Sequence, residues 1–285
     1  MAKIHPMVIF YRVFIFFIII TVLYFDLQVF FTVFFGLNNS NADMAVYSAA
    51  ISMIVSIAML LTLFFFLRLE NETLKNIGLE YGEKTPVLFG LGVLIAVIGL
   101  FFSVIIEIIS GVARVVTPPS LDPISLILTL SLFLFISFIG AAFIEELLFR
   151  GYIQSHLQKV TSFPVALVLT SILFGILHLV LFLPSRYYWG LTAFVTSFLG
   201  GLVFGFAYEV TNKNLAFPIA LHGAWNATIY IIWIDFRYFT FVQFIMEVIA
   251  TIIGLGIICL FIFGLIYLTK FFQHSNLINF GYKNK

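Results

Sequence analysis

Three long apolar stretches of the sequence contain ionisable or strongly polar side chains. An ionisable group is costly in an apolar environment, so each of these positions marks a candidate functional site. Carboxylates and imidazoles are the groups that enzymes use most often as general acids and bases. The pattern therefore indicates acid–base chemistry in a buried site. The side chains concerned are Glu145, Glu146, Arg150, His178, His222 and Asn226.

The spacing of the first group predicts a division of roles. Glu146 and Arg150 are four residues apart with the acid first, which is the favourable order for an ion pair on one helix. Glu145 lies about 100° away around a regular helix. We predict that Glu146 and Arg150 neutralise each other and support the helix, and that Glu145 remains for chemistry. In the alternative interpretation, both acids belong to one salt-bridge cluster that holds helices together.

The other two groups repeat a spacing of one helical turn. Phe174 precedes His178 by four residues, so its ring can pack on the imidazole and fix the rotamer. His222 and Asn226 have the same spacing and project from one face, and Asn214 is a plausible cap for their helix. The alternatives are a buried histidine bonded to a backbone carbonyl and a polar contact between helices.

The elements that position these residues must lie in a membrane. Of 285 residues, 62% are hydrophobic and only 9% are charged, whereas about a quarter are charged in soluble domains. No soluble fold fits this balance, so most apolar surface is expected to face lipid. The net charge of +1 argues against a nucleic-acid partner. Cys259 is the only cysteine, which excludes an intrachain disulfide.

Eight stretches approach the roughly 20 apolar residues that a spanning helix needs. The first has no cleavage site and is predicted to be a retained helix. The sequence thus predicts an all-α, polytopic bundle of about eight transmembrane helices, forming a single membrane domain over 1–285 with the active site inside. The stretches are approximately 7–35, 44–67, 86–110, 123–157, 163–183, 188–209, 215–234 and 238–272.

The depth of the polar residues and the distribution of Lys and Arg among the loops give two further predictions about the architecture. Glu145, His178 and His222 all lie within one or two turns of the centres of their stretches, as a site inside a bundle requires. Lys and Arg are concentrated on the loops of one side, and the polar connection 68–85 on that side is expected to lie on the cytoplasmic surface. The positive-inside rule then predicts a multi-pass protein of the cell membrane with both termini in the cytoplasm.

Taken together, the motifs Glu145-Glu146-x-x-x-Arg150, Phe174-x-x-x-His178 and His222-x-x-x-Asn226 resemble the CAAX prenyl endopeptidase type II / Abi family of membrane proteases. Phe204-x-x-x-Tyr208 resembles a looser aromatic motif of that family. The resemblance covers about 123–230, the core that carries the motifs. It implies an endopeptidase whose substrate is a membrane-anchored peptide or protein, such as a prenylated protein cleaved near its C-terminus. The family also includes proteins linked to bacteriocin immunity, so prenyl specificity does not follow from the motifs.

The resemblance also implies roles. Glu145 would be the general base for water, His178 would orient that water, and His222 and Asn226 would donate to the oxyanion. Glu146, Arg150 and Phe174 would support them. No Ser–His or Cys–His pair lies at this depth, which favours direct attack by water.

No cofactor is expected. The nearest alternative is zinc held by Glu145, His178 and His222, although the sequence lacks a His-Glu-x-x-His motif on one helix. A non-enzymatic immunity or scaffold protein is a second alternative. A transporter ranks last, because inverted repeats and broken helices are not evident. Glu107, Glu209 and Glu247 are predicted to be structural.

Overall fold

The computed structural model describes residues 5–34, 42–111, 113–115, 122–182, 187–231, 234–236 and 241–274. Within these residues the fold consists of eight helices and one short ribbon, in which β1 (Ala113–Val115) pairs antiparallel with β2 (Ile234–Phe236). The helices are α1 Pro6–Phe34, α2 Ala42–Leu69, α3 Thr85–Ile109, α4 Pro123–Leu157, α5 Phe163–Phe182, α6 Tyr187–Val210, α7 Ala216–Ile231 and α8 Phe241–His274.

The helices form an integral membrane bundle, as predicted. Six of them, α1, α3, α4, α5, α6 and α8, are long and apolar enough to cross a membrane. Large apolar side chains cover the outside, including Phe14 at 59% exposure and Leu260 at 71%. Such a surface is stable in lipid and not in water.

Helix α2, with 28 residues from Ala42 to Leu69, covers the predicted span 44–67, but one other helix is shorter than predicted. Helix α7 has 16 residues, which corresponds to about 24 Å and is less than the roughly 30 Å of a hydrocarbon core. Helix α7 also carries His222. Because α7 is too short to cross the bilayer by itself, the helices packed around it provide the environment of this side chain.

Helix α4 is not a regular α-helix. Asp122 caps its start by accepting from the backbone of Ile124 at 3.0 Å and Ser125 at 3.1 Å. Hydrogen bonds from the side chain and backbone of Ser125 lower the pKa of Asp122. Further along, π-helical segments Ile136–Phe143 and Leu147–Gln154 flank the single α-turn that carries Glu145 and Glu146. Such segments are rare and frequently occur at functional sites.

Close helix packing brings the motif helices together. α5 packs along α6, α3 packs along α7, and α8 contacts α3 and α6. A Cβ at Gly92 would be 2.7 Å from the Cβ of Ala220, so glycine lets α3 approach α7. One apolar core joins α1, α2, α4 and α5 with parts of α6 and α7, and a second joins α3, α6, α7 and α8. The aromatic motif residues belong to these cores, Phe174 to the first and Phe204 to the second.

We expected the polar connection between α2 and α3 to lie on the surface, but part of it is buried. Ile77 is fully buried, and its carbonyl accepts from the Tyr208 hydroxyl at 3.0 Å. Gly78 has φ +95° and accepts from the Leu215 amide at 3.0 Å. The connection is thus fastened to α6 and to the start of α7. The predicted cap of α7 is present, with Asn214 accepting from the Ala216 amide at 2.9 Å.

Candidate active site

The centre of the site is a buried ion pair. Glu146 and Arg150 are both inaccessible to solvent, and Nη1 of Arg150 donates to Oε1 of Glu146 at 2.8 Å, as the spacing predicts. Nη2 donates to the carbonyl of Gly201 at 3.2 Å, which joins α4 to α6. The same Oε1 of Glu146 lies 2.9 Å from Nδ1 of His222. The sequence did not predict this last contact, which links α4 to α7.

Two aromatic rings fix the orientation of the polar groups. The guanidinium carbon of Arg150 lies 4.6 Å from the ring centroid of Phe174 and 5.4 Å from that of Phe204. The Phe174 ring meets His178 edge-on at 4.6 Å, as the sequence predicts. Phe204 stacks on His222 with a centroid distance of 4.9 Å and an angle of 17°. Its position in the looser aromatic motif was the only sequence feature that could have indicated this role.

The hydrogen bonds of the two histidines determine which nitrogens face the site. Nδ1 of His178 lies 2.9 Å from the carbonyl oxygen of Phe174, and Nδ1 of His222 bonds Glu146. Carbonyl and carboxylate oxygens only accept hydrogen bonds, so Nδ1 is the donor in both rings. The Nε2 atoms therefore remain for the site. They lie 3.9 Å (His178) and 3.8 Å (His222) from Oε2 of Glu145.

One carboxylate oxygen of Glu145 lacks a hydrogen-bond partner among the described residues. The residue is 7% exposed, and this oxygen is Oε2. Separations of 3.8–3.9 Å are too long for direct hydrogen bonds. They suit a small molecule that bridges the carboxylate and an imidazole. A buried carboxylate beside two imidazoles can remove a proton from such a molecule.

Asn226 is less closely integrated than the other motif residues. It lies one turn beyond His222 on α7, is half-buried, and forms no hydrogen bond within the described part of the chain. The fold thus brings Glu145, His178 and His222 together, as their common depth predicts. The predicted role of Asn226 as an oxyanion donor stays a prediction.

The spacing of the three candidate ligands bears on the zinc alternative. Zinc ligands at 2.0–2.1 Å in a tetrahedral site are about 3.3–3.4 Å apart, which is shorter than the 3.8 and 3.9 Å seen from Glu145. The trio therefore fits zinc less well than it fits a bridging water. Within the described ranges, the group whose ligand atoms all lie within 4.8 Å of one another is Glu70, Glu72 and His156, at the far end of α4.

Three other acids lie within or at the ends of the spans. Glu209 accepts from Gln158 at 2.8 Å and Glu107 accepts from Ser103 at 3.1 Å. Glu107 and Glu247 both line a cavity of about 110 Å³. None of these three acids contacts the group around Glu145 among the residues described.

Residues 127–228 match the family model described as "Type II CAAX prenyl endopeptidase Rce1-like". The matched segment contains every motif residue from Glu145 to Asn226 and lies inside the predicted core 123–230, so the predicted resemblance to this family is confirmed over these residues. No curated protein matches the sequence at a significant level.

Proposed function

Because residues 127–228 match a family of intramembrane proteases, we propose that this protein is an intramembrane endopeptidase in which Glu145 activates the attacking water. One observation carries the proposal. Oε2 of Glu145 is buried, lacks a hydrogen-bond partner in the described chain, and faces the Nε2 atoms of His178 and His222 at 3.9 and 3.8 Å. A buried carboxylate that faces two imidazoles without bonding either of them directly is suited to binding a water molecule and removing a proton from it.

In the proposed first step, Glu145 takes one proton of the water while Nε2 of His178 accepts the other hydrogen as a hydrogen bond. The resulting hydroxide forms a bond to the carbonyl carbon of the substrate. The carbonyl oxygen becomes an oxyanion and accepts hydrogen bonds from Nε2 of His222 and from Asn226. For this step the His222 ring carries protons on both nitrogens, with Nδ1 donating to Glu146 at 2.9 Å.

In the second step the carbon–nitrogen bond breaks, and the leaving amine receives the proton held by Glu145. No covalent enzyme intermediate forms, and the products are an amine and a carboxylic acid, which then ionises. Arg150 and Phe174 do not touch the substrate in this scheme. They hold Glu146 and the two histidines in place.

The proposed substrate is a membrane-anchored protein cleaved near a prenylated C-terminus, approached from the cytoplasmic side. An apolar anchor would supply binding energy, because each CH₂ group kept out of water contributes about 0.8 kcal/mol. That energy can hold an otherwise weakly bound peptide near the buried carboxylate.

The test of the base is Glu145→Gln in full-length protein reconstituted into vesicles. Loss of the base is expected to lower the turnover number by at least about 10²-fold and to leave the unfolding temperature unchanged. Glu107→Gln is the matched control, since Glu107 is also a buried membrane glutamate but bonds Ser103 instead. Near-full cleavage by the Glu145→Gln protein would reject the assignment.

The test of the substrate compares two internally quenched peptides that end in Cys-aliphatic-aliphatic-X. One peptide has a farnesylated cysteine and the other a free thiol. Cleavage of the farnesylated peptide alone, lost in Glu145→Gln, is expected. Equal cleavage of both would retain the protease and reject the prenyl preference, and failure to cleave either would favour the immunity or scaffold function.

The test of zinc chemistry is activity after prolonged chelation, measured below the unfolding temperature. We propose that Glu145 acts without a metal ion, so activity is expected to persist. Loss of activity that added Zn²⁺ restores would instead make Glu145, His178 and His222 zinc ligands.

A further inference from the structure

Three polar side chains near the end of α4 reach across to α6 at matching intervals. Arg150, Gln154 and Gln158 follow one another at steps of four residues, and each donates to a residue 51 positions later. The acceptors are the carbonyl of Gly201 at 3.2 Å, the carbonyl of Gly205 at 3.0 Å and Oε2 of Glu209 at 2.8 Å. We propose that Gln154, which makes the middle bond, is a positioning residue for the base Glu145, an inference that rests on the proposed function.

Two matched bonds fix one helix on another where a single bond would not. Residues four apart on an α-helix lie on one face, about 6 Å apart along the axis. Gly201 and Gly205 have this spacing on α6 and accept from Arg150 and Gln154 respectively. A single bond from Arg150 would allow α4 to tilt about that point. The bond from Gln154, one turn further along, prevents the tilt.

The two acceptor positions have no side chains, which lets α4 and α5 lie close to α6. A Cβ at Gly205 would be 2.5 Å from Oε1 of Gln154 and 2.5 Å from Cδ1 of Leu167. A Cβ at Gly201 would be 3.0 Å from the Cα of Ser171 on α5. The backbone carbonyls of α6 are therefore within reach of the α4 side chains.

The backbone of α4 makes this fastening necessary. The π-helical segment Leu147–Gln154 ends at Gln154 and directly follows the α-turn that carries Glu145 and Glu146. A π-helical segment has i→i+5 hydrogen bonds and is rare, and its winding differs from that of an α-helix. If the end of the segment were released, a return to α-helical winding would rotate Glu145 relative to α6. The bond from Gln154 to Gly205 holds that end in place.

The placement of α4 on α6 bears directly on the candidate active site. Phe204 on α6 stacks on His222 at 4.9 Å, and Oε2 of Glu145 on α4 lies 3.8 Å from Nε2 of the same histidine. A displacement between α4 and α6 therefore changes the gap in which the proposed water is held. Gln154 lies more than two turns beyond Glu145 along α4 and acts only through this placement.

Stability does not account for a glutamine at this position. Gln154 is inaccessible to solvent, and its Oε1 has no hydrogen-bond partner among the described residues. A buried polar atom without a partner destabilises a fold. The carbonyl of Gly205 does not depend on Gln154, because α6 continues as an α-helix to Val210 and supplies a backbone donor. Methionine, with a similar length, would remove the unpartnered oxygen and leave no other polar group unpaired.

The test is Gln154→Met in the full-length protein, with the farnesylated quenched peptide as substrate. The turnover number is expected to fall by about 10-fold or more with a smaller change in KM, while the unfolding temperature stays the same or rises. Ser171→Ala is the matched control, since Ser171 is also buried and polar but donates to Leu167 within its own helix at 2.8 Å. Its turnover number should be native.

Two results with Gln154→Met would overturn the inference. A native turnover number would show that the bond to Gly205 does not position the base. A lower turnover number together with a lower unfolding temperature would make Gln154 a structural residue only.

Glu145→Gln separates this inference from the proposed function. If Gln154 acts through Glu145, residual single-turnover cleavage by Glu145→Gln/Gln154→Met should equal that by Glu145→Gln alone, because the base that Gln154 positions is already lost. Losses that multiply would overturn the positioning role and retain Glu145 as the base. Near-full cleavage by Glu145→Gln would instead reject the proposed function, and the inference with it.

Discussion

Replacing Arg150 by methionine removes a buried charge and retains a long side chain. In the native protein the guanidinium bonds Glu146 at 2.8 Å and the Gly201 carbonyl at 3.2 Å, and it lies against the Phe174 ring. The variant leaves the carboxylate of Glu146 inaccessible to solvent with His222 as its remaining partner. Arg150→Met is therefore expected to destabilise the fold and to abolish activity as a consequence.

The magnitude follows from the burial of the pair. Breaking a buried ion pair by removing one partner costs about 3–5 kcal/mol, because the other charge is stranded. With the scaling for soluble domains of 150–250 residues, that loss lowers the unfolding temperature by about 6–20 °C. An exposed pair is worth about 0–1 kcal/mol. Lys75–Glu80, at 2.6 Å with side chains 70% and 54% exposed, provides that comparison.

The assay is thermal unfolding in detergent, followed with a thiol-reactive fluorophore. Cys259 is the only cysteine and is partly buried, so its reaction with the fluorophore reports unfolding without an introduced cysteine. Arg150→Met should show the large decrease and Lys75→Met almost none. The double variant Glu146→Gln/Arg150→Met should recover part of the loss, since it strands no charge.

Two results would refute this reasoning. An Arg150→Met protein with native unfolding temperature and no activity would move Arg150 from support to substrate binding. A double variant no more stable than Arg150→Met would show that the loss comes from packing against Phe174 and not from the stranded carboxylate of Glu146.

Two further predictions concern aromatic and helix packing. Phe204→Leu removes the ring stacked on His222 at 4.9 Å. Because the His222 imidazole then loses its fixed orientation, the turnover number is expected to fall by about 10-fold or more, with a smaller change in KM. An unchanged turnover number would contradict a positioning role for Phe204. Gly92→Ala should lower the unfolding temperature, because the added Cβ would lie 2.7 Å from the Cβ of Ala220. Gly90 has open space around it, so Gly90→Ala should raise the unfolding temperature slightly, since alanine has the higher helix propensity. Equal shifts in the two glycine variants, measured by the same fluorophore assay, would show that α3 and α7 do not pack this closely.

The membrane bundle and the principal motif contacts could be predicted from the sequence because they depend on local properties. The length and apolarity of a stretch decide whether it can span a bilayer, and eight helices were predicted and are present in the described chain. The Glu146–Arg150 and Phe174–His178 contacts follow from one helical turn of spacing. The common depth of Glu145 in α4 and its two histidines indicated that they would meet.

Other features were decided only by tertiary structure. The bond between Glu146 and His222 joins residues 76 positions apart, and no spacing in the sequence indicates it. The π-helical segments around Glu145 and Glu146 were not predicted either, since the 100° rule assumes a regular helix. The α2–α3 connection was expected on the surface, but Ile77 within it is buried and belongs to the first apolar core.

The Glu70, Glu72 and His156 group shows the same limit most clearly. In the sequence, the two acids lie in a polar connection and the histidine lies near the end of a long apolar stretch, so neither pattern indicates that these side chains meet. Apolar length and helical spacing are encoded by neighbouring residues. Which distant side chains converge depends on how whole helices pack, and here that packing brings Nε2 of His156 to 2.6 Å from a carboxylate oxygen of Glu70.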